Sequence, residues 1–146
     1  MKALVTGGGG FLGRAITEML LGRGNSVRIL ARQDYPVVRA LGAEGMQGDI
    51  RNLDDCLRAC MGMDAVFHTA ALPGIWGDIN AYGSINVLGT QNIIAACKRR
   101  GVGKLIFTSS PSVNTSGPAH SKTLPAVAGL SRQTTIALAT SCTHTG

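Results

Sequence analysis

The sequence predicts an α/β fold: a Rossmann-type, doubly wound parallel sheet in strand order 3-2-1-4-5 with helices on both faces. Three observations predict it. Short apolar runs alternate with helical patterns through residues 1–113, joined by short connections. A glycine-rich turn, Gly7-Gly8-Gly9-Gly10-Phe11-Leu12-Gly13, separates the first apolar run from the first helical pattern. Connections between parallel strands are right-handed, which selects this strand order.

Each element has its own signal. The first strand is about Lys2 to Thr6, carried by Ala3, Leu4 and Val5. The first helix follows the glycine turn. Its apolar positions Ala15, Ile16, Met19 and Leu20 recur at helical spacing, and Gly22 and Gly24 stop it near Arg23. Ser26 to Ala31 is the second strand, and Pro36 opens a short helix that ends near Gly42. Gly45 to Gly48 is a short third strand. Asn52 caps a helix through Cys60, with Asp54 and Asp55 in its first turn. Ala65 to His68 is the fourth strand. A long helix covers about Asp78 to Arg100, weakened at Gly83 and Gly89, and Lys104 to Thr108 is the fifth strand.

The pattern then stops, so the sheet is expected to be truncated after strand five. From residue 114 to 146 the chain is rich in Ser, Thr, Ala and Gly, with no acidic residue and no Phe, Tyr or Trp. Residues 1–113 are therefore read as one nucleotide-binding domain and 114–146 as an irregular tail. Gln133 to Ala139 suits a weak strand or helix and is assigned to neither. Met1-Lys2 leads straight into the first strand, so the N-terminus reads as complete.

Composition excludes several classes. The net charge of +6 comes from dispersed basic residues with few aromatics, without zinc spacing or an RNA-binding aromatic motif, so no nucleic-acid partner is expected. Lys98, Arg99 and Arg100 complement the end of a helix before Gly101. No stretch has the length of a membrane span or the form of a signal peptide. Cys56, Cys60, Cys97 and Cys142 form no metal-ligand pattern, so no metal site is expected and the thiols read as reduced, in a cytoplasmic protein.

The glycine turn carries the chemistry. Gly7 permits the tight turn, Gly10 lets the backbone approach phosphate, and Gly13 lets the helix pack closely on the strand. Free N–H groups and the dipole at the helix start favour an anion. Strand, turn and helix start together suit a dinucleotide pyrophosphate.

Five motifs in register resemble the extended short-chain dehydrogenase/reductase family, which includes NAD-dependent epimerases and dehydratases. Within it they look most like the 3β-hydroxysteroid dehydrogenase/isomerase-like branch. They are Thr6 through Gly13, Gly48-Asp49-Ile50, His68-Thr69-Ala70-Ala71, Asn86-Val87-Leu88-Gly89-Thr90, and Phe107-Thr108-Ser109-Ser110-Pro111-Ser112-Val113. Ala71-Leu72-Pro73-Gly74-Ile75-Trp76-Gly77 also looks like that branch, Trp76 either lining the substrate mouth or packing.

The resemblance implies site residues. Gly7, Gly10, Phe11, Leu12 and Gly13 would hold the pyrophosphate. Asp49 would accept from the adenine amino group with Ile50 against the ring, or else simply cap the next helix. Thr69, Ala70 and Ala71 would leave room for ribose and nicotinamide. Asn86 would support the catalytic geometry, and Ser110 would be the catalytic serine bonding the substrate oxygen. NAD-specific relatives carry an acid at the end of strand two; here Ala31 is followed by Arg32, which favours the 2′-phosphate of NADP. NAD remains possible, with Asp34 as a late substitute acid and Arg32 as a solvent-facing charge.

One departure limits the carry-over. The family pairs its serine with Tyr-x-x-x-Lys, yet Tyr35 and Tyr82 both precede Ser110, and only Lys122 follows it. The simplest account is a change of reading frame or a premature end that leaves a catalytically impaired half-enzyme. The parent activity would be hydride transfer at a secondary alcohol or ketone on a small-molecule substrate, steroid-like or a sugar nucleotide. A sugar-nucleotide epimerase or dehydratase relative, a non-catalytic NADP-binding module and a fragment without function are the competing readings.

Overall fold

The computed structural model describes residues 1–72, 78–109 and 135–140, for Ser109 and 135–140 by backbone alone. The first strand, β1 (Lys2–Thr6), lies at the centre of the sheet. It pairs in parallel with β2 (Ser26–Ala31) on one side and β4 (Ala65–His68) on the other. Outside β2 lies β3 (Glu44–Gln47), and outside β4 lies β5 (Lys104–Ser109). The order 3-2-1-4-5 is the expected one.

The structure differs from the sequence reading beyond β5. A sixth strand, β6 (Thr135–Thr140), runs parallel to β5 with Lys104 opposite Thr135 and Ser109 opposite Thr140. The sheet therefore extends past the edge where the apolar pattern stops. An uncovered β5 would present a row of unpaired N–H and C=O groups, and Thr-Ile-Ala-Leu-Ala-Thr has β-branched and apolar residues suited to pairing there. The 113/114 boundary, Ser110 to Val113 and Trp76 lie outside the described residues.

The central strands are apolar throughout because both faces are covered. Alternate residues face opposite ways. Leu4, Leu30, Val66 and Leu105 pack beneath α3 (Leu53–Ala59) and α5 (Gly89–Arg100). Ala3, Val5, Val27 and Ile29 pack with Leu20 of α1 (Phe11–Gly22) and Val38 of α2 (Pro36–Ala40). Asn52 caps α3, its side chain accepting from the N–H groups of Asp54 and Asp55. The three cysteines in this core, Cys56, Cys60 and Cys97, are free and buried.

The long helix departs from regular geometry between the two glycines that weaken it. Between α4 (Ile79–Tyr82) and α5, residues Gly83–Leu88 form π-helical turns. Such insertions cluster at functional positions, and this one contains Asn86.

The tightest backbone contact joins α1 to the turn after β1. Gly7 has φ +71°, the left-handed conformation that glycine adopts without strain. A Cβ on Gly13 would stand 2.2 Å from the Gly7 carbonyl oxygen and 2.7 Å from its carbon. By contrast, a Cβ on Gly22 would meet nothing within 4 Å. We expect Gly13→Ala to lower stability by about 2–3 kcal/mol through overpacking, and Gly22→Ala to raise it by roughly 0.5–1 kcal/mol through helix propensity. Urea unfolding of both variants checks the pair.

Candidate functional site

The parallel sheet reverses its strand order on either side of β1, and open α/β sheets bind ligands beyond the carboxyl ends of the strands at that point. A groove of about 240 Å³ lies there. Its walls include Gly7 and Gly10 of the turn, Arg32 after β2, Asp49 and Ile50 after β3, and Thr69, Ala70 and Ala71 after β4. The topology thus brings eight of the sequence-predicted cofactor residues together, from segments up to 64 positions apart.

The other expected residues stand around it. Phe11 and Leu12 open α1, with Phe11 97% exposed, so neither side chain lines the groove. What this helix start offers is backbone: Gly10 is its N-cap, no side chain caps it, and its first turn has no acidic residue. Its N–H groups and dipole are left for an anion. Gly13 is buried beneath the turn. The residues present therefore fit a dinucleotide: uncapped donors for its phosphates, a shallow apolar wall at Ile50, and small residues where a bulky side chain would fill the groove.

Two locks hold the groove's walls. In the first, the Thr90 hydroxyl donates to the Asn86 carbonyl at 2.7 Å, so its oxygen accepts from His68 Nε2–H at 3.1 Å. That fixes the tautomer, leaving His68 Nδ1 to accept the Thr6 hydroxyl at 2.7 Å. The Thr6 oxygen in turn accepts the Ala70 N–H at 3.3 Å, and the Thr69 hydroxyl donates to the Thr6 carbonyl at 2.7 Å. Asn86 completes the chain. Its Oδ1 accepts the Leu72 N–H at 2.8 Å, and its Nδ2 donates to the Leu72 carbonyl at 3.1 Å. Asn86 is thus a positioning residue that holds the segment Thr69 to Leu72 along the wall.

In the second lock, the Ile50 carbonyl accepts from Asn92 Nδ2 at 2.9 Å and from the Cys56 thiol at 3.3 Å. The Asp49 N–H donates to Asp55 Oδ2 at 2.9 Å. Asp49 Oδ2 accepts Arg51 Nη2 at 2.6 Å and Nε at 3.0 Å, while Oδ1 accepts the Arg51 N–H at 2.9 Å. These Arg51 hydrogen bonds hold the Asp49 carboxyl below the usual carboxylate range, with a smaller contribution from the Arg32 charge. Asp49 is an ionised acceptor at neutral pH. Burial pushes the Cys56 thiol up to about 12, so it packs and donates and is no nucleophile at neutral pH.

Asp34 pairs with Arg39 at 3.0 Å and does not line the groove. Sequence reasoning missed Tyr35, Leu30, Leu72 and Ile85 on the wall, and Asn92 and Cys56 behind it. Ser110 lies outside the described residues. Among the described residues, no cluster of three His, Cys, Asp or Glu could hold a metal, and no helix is long and apolar enough to cross a membrane.

Fold and groove together define a Rossmann domain of the short-chain dehydrogenase/reductase class. More narrowly, the chain belongs to the 3-beta hydroxysteroid dehydrogenase/isomerase family, whose model matches residues 4–126. It is similar to a 2-alkyl-3-oxoalkanoate reductase of Stenotrophomonas maltophilia, 47% identical over 113 residues, covering 77% of this chain and 34% of the relative. It is also similar to a 3 beta-hydroxysteroid dehydrogenase/Delta 5→4-isomerase of Mycobacterium tuberculosis, 38% identical over 119 residues, covering 77% and 32%. Among solved structures, MoeE5 in complex with UDP-glucose and NAD is similar, with a TM-score of 0.70 and 33% identity, covering 82% of this chain and 39% of MoeE5. The chain spans about a third of the length of the curated relatives it matches.

Burial holds the His68 side chain neutral, its pKa lowered from 6.5 to about 4. An unfolded chain takes up this proton near the ordinary value while the folded one does not, so the stability present above about pH 6.5 falls as the pH drops towards 4. The loss is roughly 3 kcal/mol at most. Denaturant titrations across this window are expected to show the slope in the parent chain and a flatter profile in His68→Asn. Nitrogen NMR should find the Nε2–H tautomer.

Proposed function

We propose that this chain carries the cofactor-binding half of an NAD(P)-dependent oxidoreductase acting at a secondary alcohol or ketone, with NADP preferred to NAD. The observation that carries the reading is the convergence of the glycine turn, Arg32, Asp49-Ile50 and Thr69-Ala70-Ala71 on one groove at the carboxyl edge of the sheet. A nicotinamide cofactor bound there supplies the hydride chemistry.

Each residue has a role of its own. The N–H groups at the start of α1 take the pyrophosphate, with Gly7 and Gly10 leaving it room and Gly13 keeping the helix close. Phe11 and Leu12 contribute through their backbone. Asp49, ionised and fixed by Arg51, keeps oxygen lone pairs for the adenine amino group, and Ile50 packs on the ring. Thr69, Ala70 and Ala71 leave space for the nicotinamide ribose, and Asn86 keeps their segment in place. Ser110, beyond β5, bonds the substrate oxygen. The acid/base pair that proton transfer needs has no counterpart after Ser110, where the sequence holds no tyrosine.

NADP is preferred because the groove has a guanidinium, and no free carboxylate, at the end of strand two. Arg32 has no acidic partner within ion-pair distance among the described residues, whereas Asp34 is taken by Arg39. The reductase and dehydrogenase names of similar curated proteins favour a carbonyl or alcohol substrate such as a steroid. A sugar nucleotide is the second reading, favoured by the UDP-glucose bound to MoeE5. The buried free thiols Cys56, Cys60 and Cys97 suit the reducing cytoplasm.

Calorimetric titration with NADPH and NADH tests the reading. NADPH is expected to bind more tightly, and Arg32→Ala to weaken it roughly 10- to 100-fold while sparing NADH, the worth of charge-assisted hydrogen bonds. Asp49→Ala should weaken both cofactors alike. Equal affinities in the parent chain contradict the NADP preference, and saturable binding of neither contradicts the cofactor site.

A further inference from the structure

We propose that Tyr35 is a specificity-determining residue of this groove, its phenol joining Arg32 in binding a phosphate on the 2′-position of the adenosine ribose. The inference rests on reading the groove as an NADP site and adds a residue to it.

Tyr35 sits on the glycine turn itself. A Cβ on Gly9 would fall 2.2 Å from both Cε1 and Cζ of the Tyr35 ring, and 2.4 Å from Cδ1. No side chain other than hydrogen is compatible with that seat, so Gly9 serves the tyrosine while its neighbours serve the phosphates. The ring is also fixed from behind. Tyr35 precedes Pro36, which restricts its backbone, and its carbonyl accepts the N–H groups of Val38 at 3.0 Å and Arg39 at 3.2 Å as α2 begins. Its apolar edge packs against the cluster that contains Ile29 and Val38.

The ring therefore forms a preorganised wall on the side of the groove where strand two ends. Arg32 lines the same wall three residues earlier, its carbonyl tied to Gln47 Nε2 at 3.0 Å. Among the described residues the Tyr35 hydroxyl makes no hydrogen bond, and the Arg32 guanidinium pairs with no carboxylate. The nearby negative charges are already engaged, Asp34 by Arg39 and Asp49 by Arg51. NAD-type sites offer the ribose 2′-hydroxyl a carboxylate, and both carboxylates near this corner already carry an arginine partner. A 2′-phosphate brings acceptor oxygens and charge, and the corner holds a planar cationic fork and a phenolic donor for it.

The test uses the 146-residue chain and four probes: NADPH, NADH, adenosine 2′,5′-bisphosphate and adenosine 5′-monophosphate. Tyr35→Phe keeps the ring on Gly9 and removes only the hydroxyl. It is expected to weaken NADPH and the 2′,5′-bisphosphate by about 10-fold, leaving NADH and the monophosphate unchanged. Arg32→Ala serves as the reference. If Arg32→Ala abolishes the preference and Tyr35→Phe leaves it intact, the tyrosine assignment is overturned while the NADP site stands. If the parent chain does not discriminate between the bisphosphate and the monophosphate, the NADP reading falls and the tyrosine with it. Far-ultraviolet circular dichroism of Tyr35→Phe confirms that a loss is not one of folding.

Discussion

The closeness of α1 to the turn after β1 is the constraint on which the groove depends. Gly13 lies so near the Gly7 carbonyl that one added carbon would stand 2.2 Å from its oxygen. That contact brings the first turn of α1, uncapped by any side chain, to the carboxyl edge of the sheet. Had the helix started with a serine or aspartate cap, that side chain would occupy one or two of its N–H groups. Left free, they form one polar end of a groove whose walls also include Arg32, Asp49 and the small residues after β4.

The other walls are held by polar groups that carry no chemistry themselves. The chain Thr6–His68–Thr90 links β1, β4 and the start of α5, and Asn86 extends it to the Leu72 backbone. Because the Thr90 hydroxyl is committed to the Asn86 carbonyl and the buried His68 is neutral, every hydrogen in that chain has one direction. The π-helical turns bring Asn86 opposite Leu72 while Thr90, four residues on, still donates back to its carbonyl. On the far side, Asn92 and Cys56 converge on one carbonyl, that of Ile50, so the loop after β3 is fixed from within the core. A groove made by four separate segments keeps its shape because each is anchored by a hydrogen bond to a different element.

Much of this was legible in the chain. The bounds of β1, β2 and β4 follow the apolar runs directly, since parallel strands covered on both faces contain few polar residues, and Asn52 caps its helix as its side chain suggests. The residues of the groove were legible through motifs set at the ends of those strands. Four features were not. β6 lies in a Ser/Thr/Ala-rich stretch, where its pairing depends on the edge of β5 and not on local pattern. The π-helical segment leaves only the bracketing glycines as its trace. Tyr35 reads as a loop aromatic until the fold lays it on Gly9; the spare glycine in the turn and the Tyr-Pro pair after strand two were its signals. Asn92 and Cys56 act across 42 and 6 positions on a carbonyl, which no side-chain pattern records.

We propose that one groove at the switch point of the sheet binds the whole dinucleotide. Amide NMR of the labelled chain during titration with NADPH tests it most directly. With the cofactor in that groove, saturable shifts are expected, confined to Gly7 through Gly13, Arg32 through Tyr35, Asp49-Ile50 and Thr69 through Leu72, with the amino-terminal edge of the sheet around Lys2 and Ser26 unmoved. Shifts centred on that opposite edge, or none that saturate, would contradict it.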